Sequence, residues 1–404
     1  MVSWGIKSFK NNRVLMLQGP VGPFFKRFAQ DLKNSGAEVF KINFNGGDWF
    51  FSPLGSVNFR GSAREWPDFF SKFLEQHQID TVILFGDCRD YHRIAHVIAH
   101  EKGIEIGVFE EGYIRPDYIT FERFGVNGFS LLPRNREFYD TLKQDEIEKV
   151  GTAPVGNTFY YAAWWAFLYY LFSSLLFPYF SYYHHHRPLN PWQGTYWIRA
   201  VWRKWLYKMN ESGVQEHLVT QVHKRYFLVP LQISTDAQVC VHSSYSSVEN
   251  FVERVISSFA AHASKEMTLV IKHHPLDRGY HNYTSLIKRI ASHYGVDSRV
   301  LYIHDQHLPT LLEHALGVVL INSTVGLSAI HHSTPLKVCG TAIYDMSGLT
   351  YQGALEDFWN DASSFVVDKK LYEQFKEYVI SQKQINGSFY RRLDIADSAL
   401  GVNW

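Results

Sequence analysis

The sequence predicts an α/β protein made of two Rossmann-like domains, and three observations carry this prediction. Strand and helix patterns alternate along residues 13–112, and they alternate again from about residue 226. A stretch of very different composition separates these two blocks. Such alternation is typical of parallel sheets covered by helices. At 404 residues the chain is long enough for two hydrophobic cores, so two domains are expected.

In the first block, short apolar runs predict strands and longer amphipathic patterns predict helices. The predicted strands are Arg13–Gln18, Glu38–Asn43, Thr81–Phe85 and Ile104–Phe109, and the predicted helices are Phe24–Ser35 and His92–Lys102. The glycines within Asn45–Asp48 predict a turn. Ligand sites of parallel sheets lie beyond the carboxyl ends of the strands. We therefore expect Gly19–Pro23, Gly86–Arg89 and Glu110–Arg115 to share one rim.

The second block repeats the same alternation. The predicted strands are Tyr226–Leu231, Thr268–Lys272, Val300–Ile303, Gly317–Ile321 and Pro335–Val338, and the predicted helices are Val248–His262, Leu308–Ala315 and Leu371–Gln384. We expect an N-terminal domain over residues 1–150 and a C-terminal domain over residues 216–380. An aromatic and basic connector at 151–215 lies between them, and a tail follows at 381–404.

The connector has an unusual composition. Fourteen of the 25 residues of Phe159–Tyr183 are aromatic, and none is charged. A helix resting on a membrane surface explains this best, because Tyr and Trp favour the interface. A buried connector and a transmembrane helix are the alternatives. The following segment offers cations for lipid headgroups and tryptophans for the acyl boundary, namely Arg199, Arg203, Lys204, Lys208, Trp197, Trp202 and Trp205.

Composition excludes several classes of protein and site. The formal net charge is +1, which argues against a nucleic-acid binder. The three cysteines lie far apart and the N-terminus does not resemble a signal peptide, so we expect a cytoplasmic protein. No D-x-D motif occurs, and the consecutive His184–His186 cannot converge on one ion. We expect neither a metal nor a cofactor.

An acidic pair follows the last strand of the first block. Glu110 and Glu111 are adjacent carboxylates, and such pairs serve as nucleophile or base in glycosyl transfer. Arg115 and Arg89 could offset their repulsion. A solvated loop is the alternative interpretation. Further candidates for this rim are Asp87 and Arg115, as catalytic residues, and Gly19, Arg89 and His92, as contacts of the acceptor or residues of the rim.

The second block carries cationic and hydroxyl groups after two of its strands. Lys272, His273, His274 and Pro275 form a loop that could neutralise a phosphate or carboxylate, although a purely structural turn is the alternative. Ser and Thr are favoured helix caps, and the free amides of a helix start attract phosphate. The candidate donor-binding residues here are Asn322, Ser323, Thr324, Gly326 and Gly340.

Taken together, the motifs of the two blocks resemble those of one family, the KpsS-type capsule polysaccharide proteins of Gram-negative bacteria. The resemblance extends over nearly the whole chain and keeps the order of the motifs. The matching stretches are Met16–Phe25, Phe44–Asp48, Phe85–Arg89, Glu110–Pro116, Ile271–Gly279, Ile321–Ala329, Pro335–Gly340 and Gly348–Gly353.

The resemblance implies a GT-B glycosyltransferase with two Rossmann-like domains facing across a cleft. It implies transfer of β-linked Kdo from CMP-Kdo to lysophosphatidylglycerol, with retention through a carboxylate nucleophile. Glu111 is preferred over Glu110 for this role, and His274 and Pro275 are expected at the CMP phosphate or the Kdo carboxylate. The implied partners are the inner-membrane surface and other capsule assembly and export proteins. The alternatives are a non-catalytic export scaffold and a transferase of the same fold that uses another CMP-nonulosonate.

Overall fold

The computed structural model describes residues 5–143, 151–183, 193–396 and 398–404. The chain divides into two compact units, each discontinuous in sequence. The first unit comprises Met1–Leu132, Gln144–Pro191 and Lys376–Trp404, and the second comprises Pro133–Lys143 and Trp192–Phe375. Residues 151–215 therefore contribute to both units, and residues 381–404 belong to the first.

Strands and helices alternate in both units. The strands are β1 (Arg13–Met16), β2 (Glu38–Asn43), β3 (Val57–Asn58), β4 (Thr81–Phe85), β5 (Glu105–Glu111), β6 (Tyr118–Arg123), β7 (Tyr226–Pro230), β8 (Thr268–Lys272), β9 (Val300–Ile303), β10 (Gly317–Leu320), β11 (Leu336–Val338) and β12 (Gln384–Asn386). The helices are α1 (Phe24–Asn34), α2 (Gly46–Phe51), α3 (Trp66–Gln76), α4 (Asp90–Glu101), α5 (Arg136–Thr141), α6 (Phe159–Leu175), α7 (Gln193–Asn210), α8 (Val214–Thr220), α9 (Ala237–Val241), α10 (Val248–His262), α11 (Thr284–His293), α12 (Leu308–His314), α13 (Val325–His331), α14 (Leu355–Asp361) and α15 (Lys369–Lys383).

The sheet of the first unit has the order β12-β6-β5-β4-β1-β2-β3. Its strands β1 to β5 are parallel, as expected, whereas β6 and β12 pair antiparallel at one edge. The two faces carry separate apolar cores. Phe24, Phe28 and Phe109 lie in the core on the α1 face, and Trp66 and Val108 lie in the core on the α3 and α4 face.

Two local predictions for this unit were wrong. Asn45–Asp48 is not a turn, because the Asn45 side chain accepts a hydrogen bond from the Asp48 amide at 2.9 Å and caps α2. The acidic pair does not follow the strand but forms its last two residues. Glu110 pairs with Thr120 and Glu111 with Ile119, since the antiparallel neighbour β6 supplies backbone partners beyond Phe109.

Helix α6 packs closely against α2 and exposes its other side. Gly46 makes the approach possible, because a Cβ there would lie 2.1 Å from the Phe172 carbonyl oxygen. Tyr169 and Ser173 are buried along this seam. The exposed large side chains of the helix are Phe159, Tyr160, Tyr161, Trp164, Phe167, Leu171 and Leu175. None of the helices in the described ranges combines the length and the apolar character required to cross a membrane.

The sheet of the second unit has the order β11-β10-β7-β8-β9, and each recorded pairing is parallel. Its core contains Phe227 from β7, Phe259 from α10 and Trp359 from α14. The order places β7 between β8 and β10, so the loops after these three strands emerge side by side at one edge. The α/β class with two parallel-sheet units is therefore confirmed.

Helix α7 belongs to the second unit. Arg199 donates to the Tyr280 carbonyl at 3.2 Å, and Arg203 donates to the Arg278 carbonyl at 2.8 Å. These two guanidiniums contact the loop after β8, against which α7 packs at Gly279, and their role toward lipid headgroups stays a prediction. The side chains left exposed on α7 include Ile198, Val201, Trp202, Lys204, Trp205 and Lys208. The Trp197 side chain and His184–His186 lie outside the described residues.

Candidate functional site

The turn after β4 is fixed by a buried histidine. Gly86 adopts a φ of +69°, which favours glycine. The Nδ1–H of His92 donates to the Gly86 carbonyl at 2.7 Å and lies 3.1 Å from the Phe85 carbonyl. Burial lowers the pKa of His92 to about 3, with the Arg89 charge as a second cause. His92, predicted at this rim, therefore lies there as a neutral residue that shapes the turn.

Glu110 lies beside this turn, on the α4 face of the sheet. A Cβ on Gly86 would lie 3.4 Å from Glu110 Oε2 and 3.7 Å from Arg89 Nε, so both side chains flank the glycine. Burial raises the pKa of Glu110 to about 7, and the charges of Glu111 and Asp87 add to this effect. The Glu111 amide at 2.9 Å and the Arg89 charge oppose it. Its surroundings therefore favour the protonated form of Glu110 more than an exposed position would.

Glu111 lies in a different environment from Glu110. Successive side chains of a strand point to opposite faces, so Glu111 follows Phe109 onto the α1 face. Its Oε1 accepts a hydrogen bond from the Tyr390 hydroxyl at 3.0 Å. Its carbonyl accepts one from the Thr120 hydroxyl at 3.0 Å. The two adjacent carboxylates therefore have different hydrogen-bond partners.

The loop after Glu111 is held by β12. The Gln384 side-chain oxygen accepts hydrogen bonds from the Tyr113 amide at 2.9 Å and the Ile114 amide at 3.3 Å. Its amide group donates to the Thr120 hydroxyl at 2.9 Å. Residues from the predicted tail therefore build one side of the rim. No sequence pattern pointed to Gln384 or Tyr390, since both lie more than 260 positions from their partners.

A buried polar network joins the rim to the aromatic segment. Arg89 donates to the Gln18 side-chain oxygen at 3.0 Å. The Gln18 amide nitrogen lies within hydrogen-bond distance of Asp48 at 3.2 Å, the Tyr169 hydroxyl at 3.1 Å and the Tyr183 hydroxyl at 2.9 Å. A small polar pocket opens beside this network, and its lining includes Gln18, Arg89 and Tyr183. The end of β1 and the turn after β4 therefore share one edge, as predicted.

The remaining predicted residues of this rim make local contacts. The Asp87 carboxylate is buried and accepts hydrogen bonds from the Val126 amide at 2.9 Å and the Cys88 thiol at 3.2 Å. Arg115 is exposed and donates to the Gly112 carbonyl at 3.1 Å. A Cβ on Gly19 would lie 2.7 Å from the Phe25 ring, so only glycine fits there. Catalytic roles for Asp87 and Arg115 stay predictions.

In the second unit, two of the predicted cationic residues are buried. Lys272 donates from Nζ to the His304 carbonyl at 2.9 Å, and burial lowers its pKa. His273 Nδ1 lies 2.6 Å from the Tyr302 hydroxyl. Burial, together with the nearby His304, lowers the pKa of His273 to about 3. Both side chains face the interior of the unit rather than a ligand at its surface.

His274 is the more accessible member of this group. Its Nδ1 accepts a hydrogen bond from the Leu276 amide at 3.2 Å and caps the single turn Pro275–Asp277. A proton on this ring is therefore carried by Nε2. Asp277 is buried and accepts hydrogen bonds from the Ser234 amide at 3.1 Å and the Ser234 hydroxyl at 3.0 Å. The loops after β7 and β8 are thus tied together.

The loop after β10 is tied to the same edge. Asn322 Oδ1 accepts a hydrogen bond from the Gln232 side chain at 2.9 Å. Ser323 Oγ accepts one from the Val325 amide at 3.3 Å, and Thr324 precedes α13 without a side-chain cap. The loops after β8 and β10 are therefore both hydrogen-bonded to the loop after β7. The predicted glycines leave no space for a side chain, because a Cβ would lie 2.3 Å from the Tyr344 hydroxyl at Gly326 and 2.9 Å from the His242 carbonyl at Gly340.

These features define an α/β protein whose two parallel sheets each carry polar residues at a carboxyl edge. The family described as "Capsule polysaccharide biosynthesis protein" matches residues 80–390, and the chain belongs to this family. It is 40% identical over 391 residues to the capsule polysaccharide export protein KpsS of Escherichia coli, covering 94% of this chain and 97% of that protein. The capsule polysaccharide modification protein LipB of Neisseria meningitidis is also 40% identical, over 94% of this chain and 92% of LipB. The resemblance to KpsS-type proteins is therefore confirmed.

Solved structures of similar fold are more distant in sequence. KpsC of Thermosulfurimonas dismutans, described as a β-Kdo 2,7 transferase, is 14% identical with a TM-score of 0.39, covering 90% of this chain and 99% of that one. The lipopolysaccharide outer core galactosyltransferase WaaB is 13% identical with a TM-score of 0.38, covering 91% and 98%.

Proposed function

We propose that this protein is a retaining glycosyltransferase of the GT-B class. It transfers β-linked Kdo from CMP-Kdo to lysophosphatidylglycerol and so initiates the linker of a capsular polysaccharide. The observation that carries this proposal is the Glu111 carboxylate at the end of β5, held through one oxygen by Tyr390. Membership of the capsule polysaccharide biosynthesis family supports the biological context.

The proposed reaction is a double displacement at the anomeric carbon. Glu111 attacks this carbon while the bond to the CMP phosphate breaks, and CMP leaves with the electron pair. The acceptor hydroxyl then attacks the same carbon, loses its proton to a base and releases the Glu111 carboxylate. Two inversions give net retention. CMP departs as a phosphate monoester and therefore requires no strong general acid.

The surroundings of the two glutamates differ. A nucleophilic carboxylate must be ionised. Burial raises the pKa of Glu110 to about 7 and so disfavours its charged form. Glu111 lies on the other face of the strand and accepts a hydrogen bond from the Tyr390 hydroxyl. This contrast supports Glu111 as the nucleophile. Glu110, Asp87 and Arg115 are proposed to shape its electrostatic environment.

The donor is proposed to bind at the carboxyl edge of the second sheet. His274 lies at this edge, and an Nε2–H group on its ring would donate a hydrogen bond to the departing phosphate or to the Kdo carboxylate. Asn322, Ser323 and Thr324 offer hydrogen-bonding groups on the neighbouring loop. Lys272 and His273 are proposed to support the loop from inside, since both are buried.

A lipid acceptor fits the exposed aromatic surface. The outer side of α6 presents Phe159, Trp164 and Phe167 without any charged residue in the helix. Surfaces of this kind lie in the interfacial layer of a bilayer. We therefore propose that the protein acts at the cytoplasmic face of the inner membrane, with other capsule assembly and export proteins as further partners.

The first test is CMP release from CMP-Kdo in the presence of lysophosphatidylglycerol. Glu111→Gln is expected to lower kcat by more than about a thousandfold, because removal of a nucleophile leaves only binding and electrostatic contributions. Glu110→Gln should retain more activity than Glu111→Gln. Glu105→Gln, at the exposed start of the same strand, serves as the matched control and should behave as wild type. Full activity in both Glu110→Gln and Glu111→Gln would refute the carboxylate mechanism.

A non-catalytic export scaffold is the second candidate, and the name of the KpsS relative as an export protein favours it. Calorimetry with CMP separates the two candidates. The transferase should bind CMP, and His274→Ala should weaken that binding. Absence of CMP binding would support the scaffold. A transferase for another CMP-nonulosonate would be recognised by turnover of that donor in place of CMP-Kdo.

A further inference from the structure

We propose that Tyr390 is a positioning residue that aims Glu111 and promotes breakdown of the glycosyl-enzyme. This inference rests on the proposed function, in which Glu111 attacks the donor sugar. The Tyr390 hydroxyl donates to Glu111 Oε1 at 3.0 Å. Among the described residues, Tyr390 alone donates a hydrogen bond to the Glu111 carboxylate. The second oxygen, Oε2, is therefore available to attack the anomeric carbon.

Tyr390 is held in place by three separate contacts. The preceding Phe389 is 1% exposed and packs edge-on against Phe24 and Phe85, at centroid distances of 4.8 Å and 5.0 Å. The indole N–H of Trp165 donates to the Tyr390 carbonyl at 3.1 Å. The Tyr390 amide donates to the Ser388 hydroxyl at 3.1 Å. These contacts fix the backbone at Tyr390 and so limit the directions in which its phenol can point.

The phenol remains a donor under all relevant conditions. Burial raises the pKa of Tyr390 well above its ordinary value, and the charge of Glu111 raises it further. A protonated phenol holds one carboxylate oxygen in a fixed direction and stabilises negative charge on the group. The carboxylate is charged before the first step, neutral as an ester in the glycosyl-enzyme, and charged again when the ester bond breaks.

This sequence of charges predicts which step Tyr390 serves most. In the second step the acceptor oxygen bonds to the anomeric carbon and the bond to Glu111 Oε2 breaks. The electron pair of that bond returns to the carboxylate, and the acceptor proton passes to a base. Tyr390 stabilises the charge that develops on Glu111. Its removal should therefore slow the breakdown of the glycosyl-enzyme more than its formation.

The test is Tyr390→Phe, assayed for turnover of CMP-Kdo with lysophosphatidylglycerol and by intact-protein mass spectrometry of samples quenched during that turnover. We expect kcat to fall by about 10- to 100-fold, the usual value of a hydrogen bond to a charged group. The KM for the acceptor should change little. A covalent adduct of one Kdo residue should accumulate in the variant above the wild-type level.

A control variant and a comparison keep the outcomes separate. Tyr294→Phe removes the hydroxyl of an exposed tyrosine that follows α11 in the second unit, and its kcat and adduct level should stay near wild type. Wild-type kcat in Tyr390→Phe, or a lower kcat without adduct, would overturn the role of Tyr390. If Glu111→Gln is fully active, the proposed function itself fails. If Glu111→Gln is inactive while Tyr390→Phe is fully active, only the role of Tyr390 fails.

Discussion

The raised pKa of Glu110 predicts a measurable dependence of stability on pH. Its pKa is raised from 4.5 to about 7 in the folded protein. Well below pH 4.5 the Glu110 carboxyl is neutral in both the folded and the unfolded state, so it does not lower the free energy of unfolding. Between pH 4.5 and 7 the unfolded state loses its proton first, so the free energy of unfolding falls as pH rises. At 1.4 kcal/mol per pKa unit the total loss is about 3 kcal/mol, most of it between pH 5 and 8.

The substitution Glu110→Gln removes this loss and keeps an acceptor for the Glu111 amide. Thermal unfolding of wild type and variant, followed from pH 5 to pH 8, should show the melting temperature of the variant rising relative to wild type. For a unit of about 200 residues the relative shift should be roughly 5 to 10 °C. Glu105→Gln should show no such relative shift. Parallel curves for wild type and Glu110→Gln would refute the reasoning that Glu110 is desolvated.

Three further predictions concern α6. Tyr169→Phe removes hydrogen bonds to Asn45, Gln18 and Asp48. It should lower the free energy of unfolding, measured in urea, by about 1–3 kcal/mol. The control Tyr160→Phe, on the exposed side of the same helix, should leave that free energy unchanged. Gly46→Ala places a Cβ against the α6 backbone and should lower the melting temperature by several degrees. Equal melting temperatures for wild type and Gly46→Ala would contradict the described seam. Trp164→Ser should weaken sedimentation with anionic lipid vesicles while leaving the melting temperature unchanged, and undiminished sedimentation would count against a lipid-facing α6.

Much of the fold follows from local patterns in the sequence. Strands such as β4 and β8 were predicted with their observed bounds because each is a continuous apolar run ended by polar residues. The antiparallel strands β6 and β12 were not predicted. β12 is three residues long and pairs with a strand far away in sequence, and no periodicity within such a short segment can reveal its partner.

The candidate site was predictable to a similar extent. The edges that carry Glu111 and His274 followed from the rule that loops after parallel strands meet at one side of a sheet. The raised pKa of Glu110 and the burial of His273 did not follow, because both depend on which side chains surround them. Tyr390 was not predicted for the same reason, because its proposed role depends on a contact with Glu111, 279 positions away in the sequence.

The position of β12 has a consequence for the order of events during synthesis. Gln384 in β12 meets Thr120 in β6 across 264 positions, and the whole second unit is translated between them. At about 5 to 20 residues per second, the ribosome needs roughly 15 to 50 s to cover that interval. During this time the edge of β6 has no β12 to pair with, and the Glu111 loop lacks its support from Gln384. Synthesis of the first unit therefore begins before that of the second unit but ends after it. A chaperone that binds the nascent chain would bind at β6, where the edge of the sheet is still unpaired.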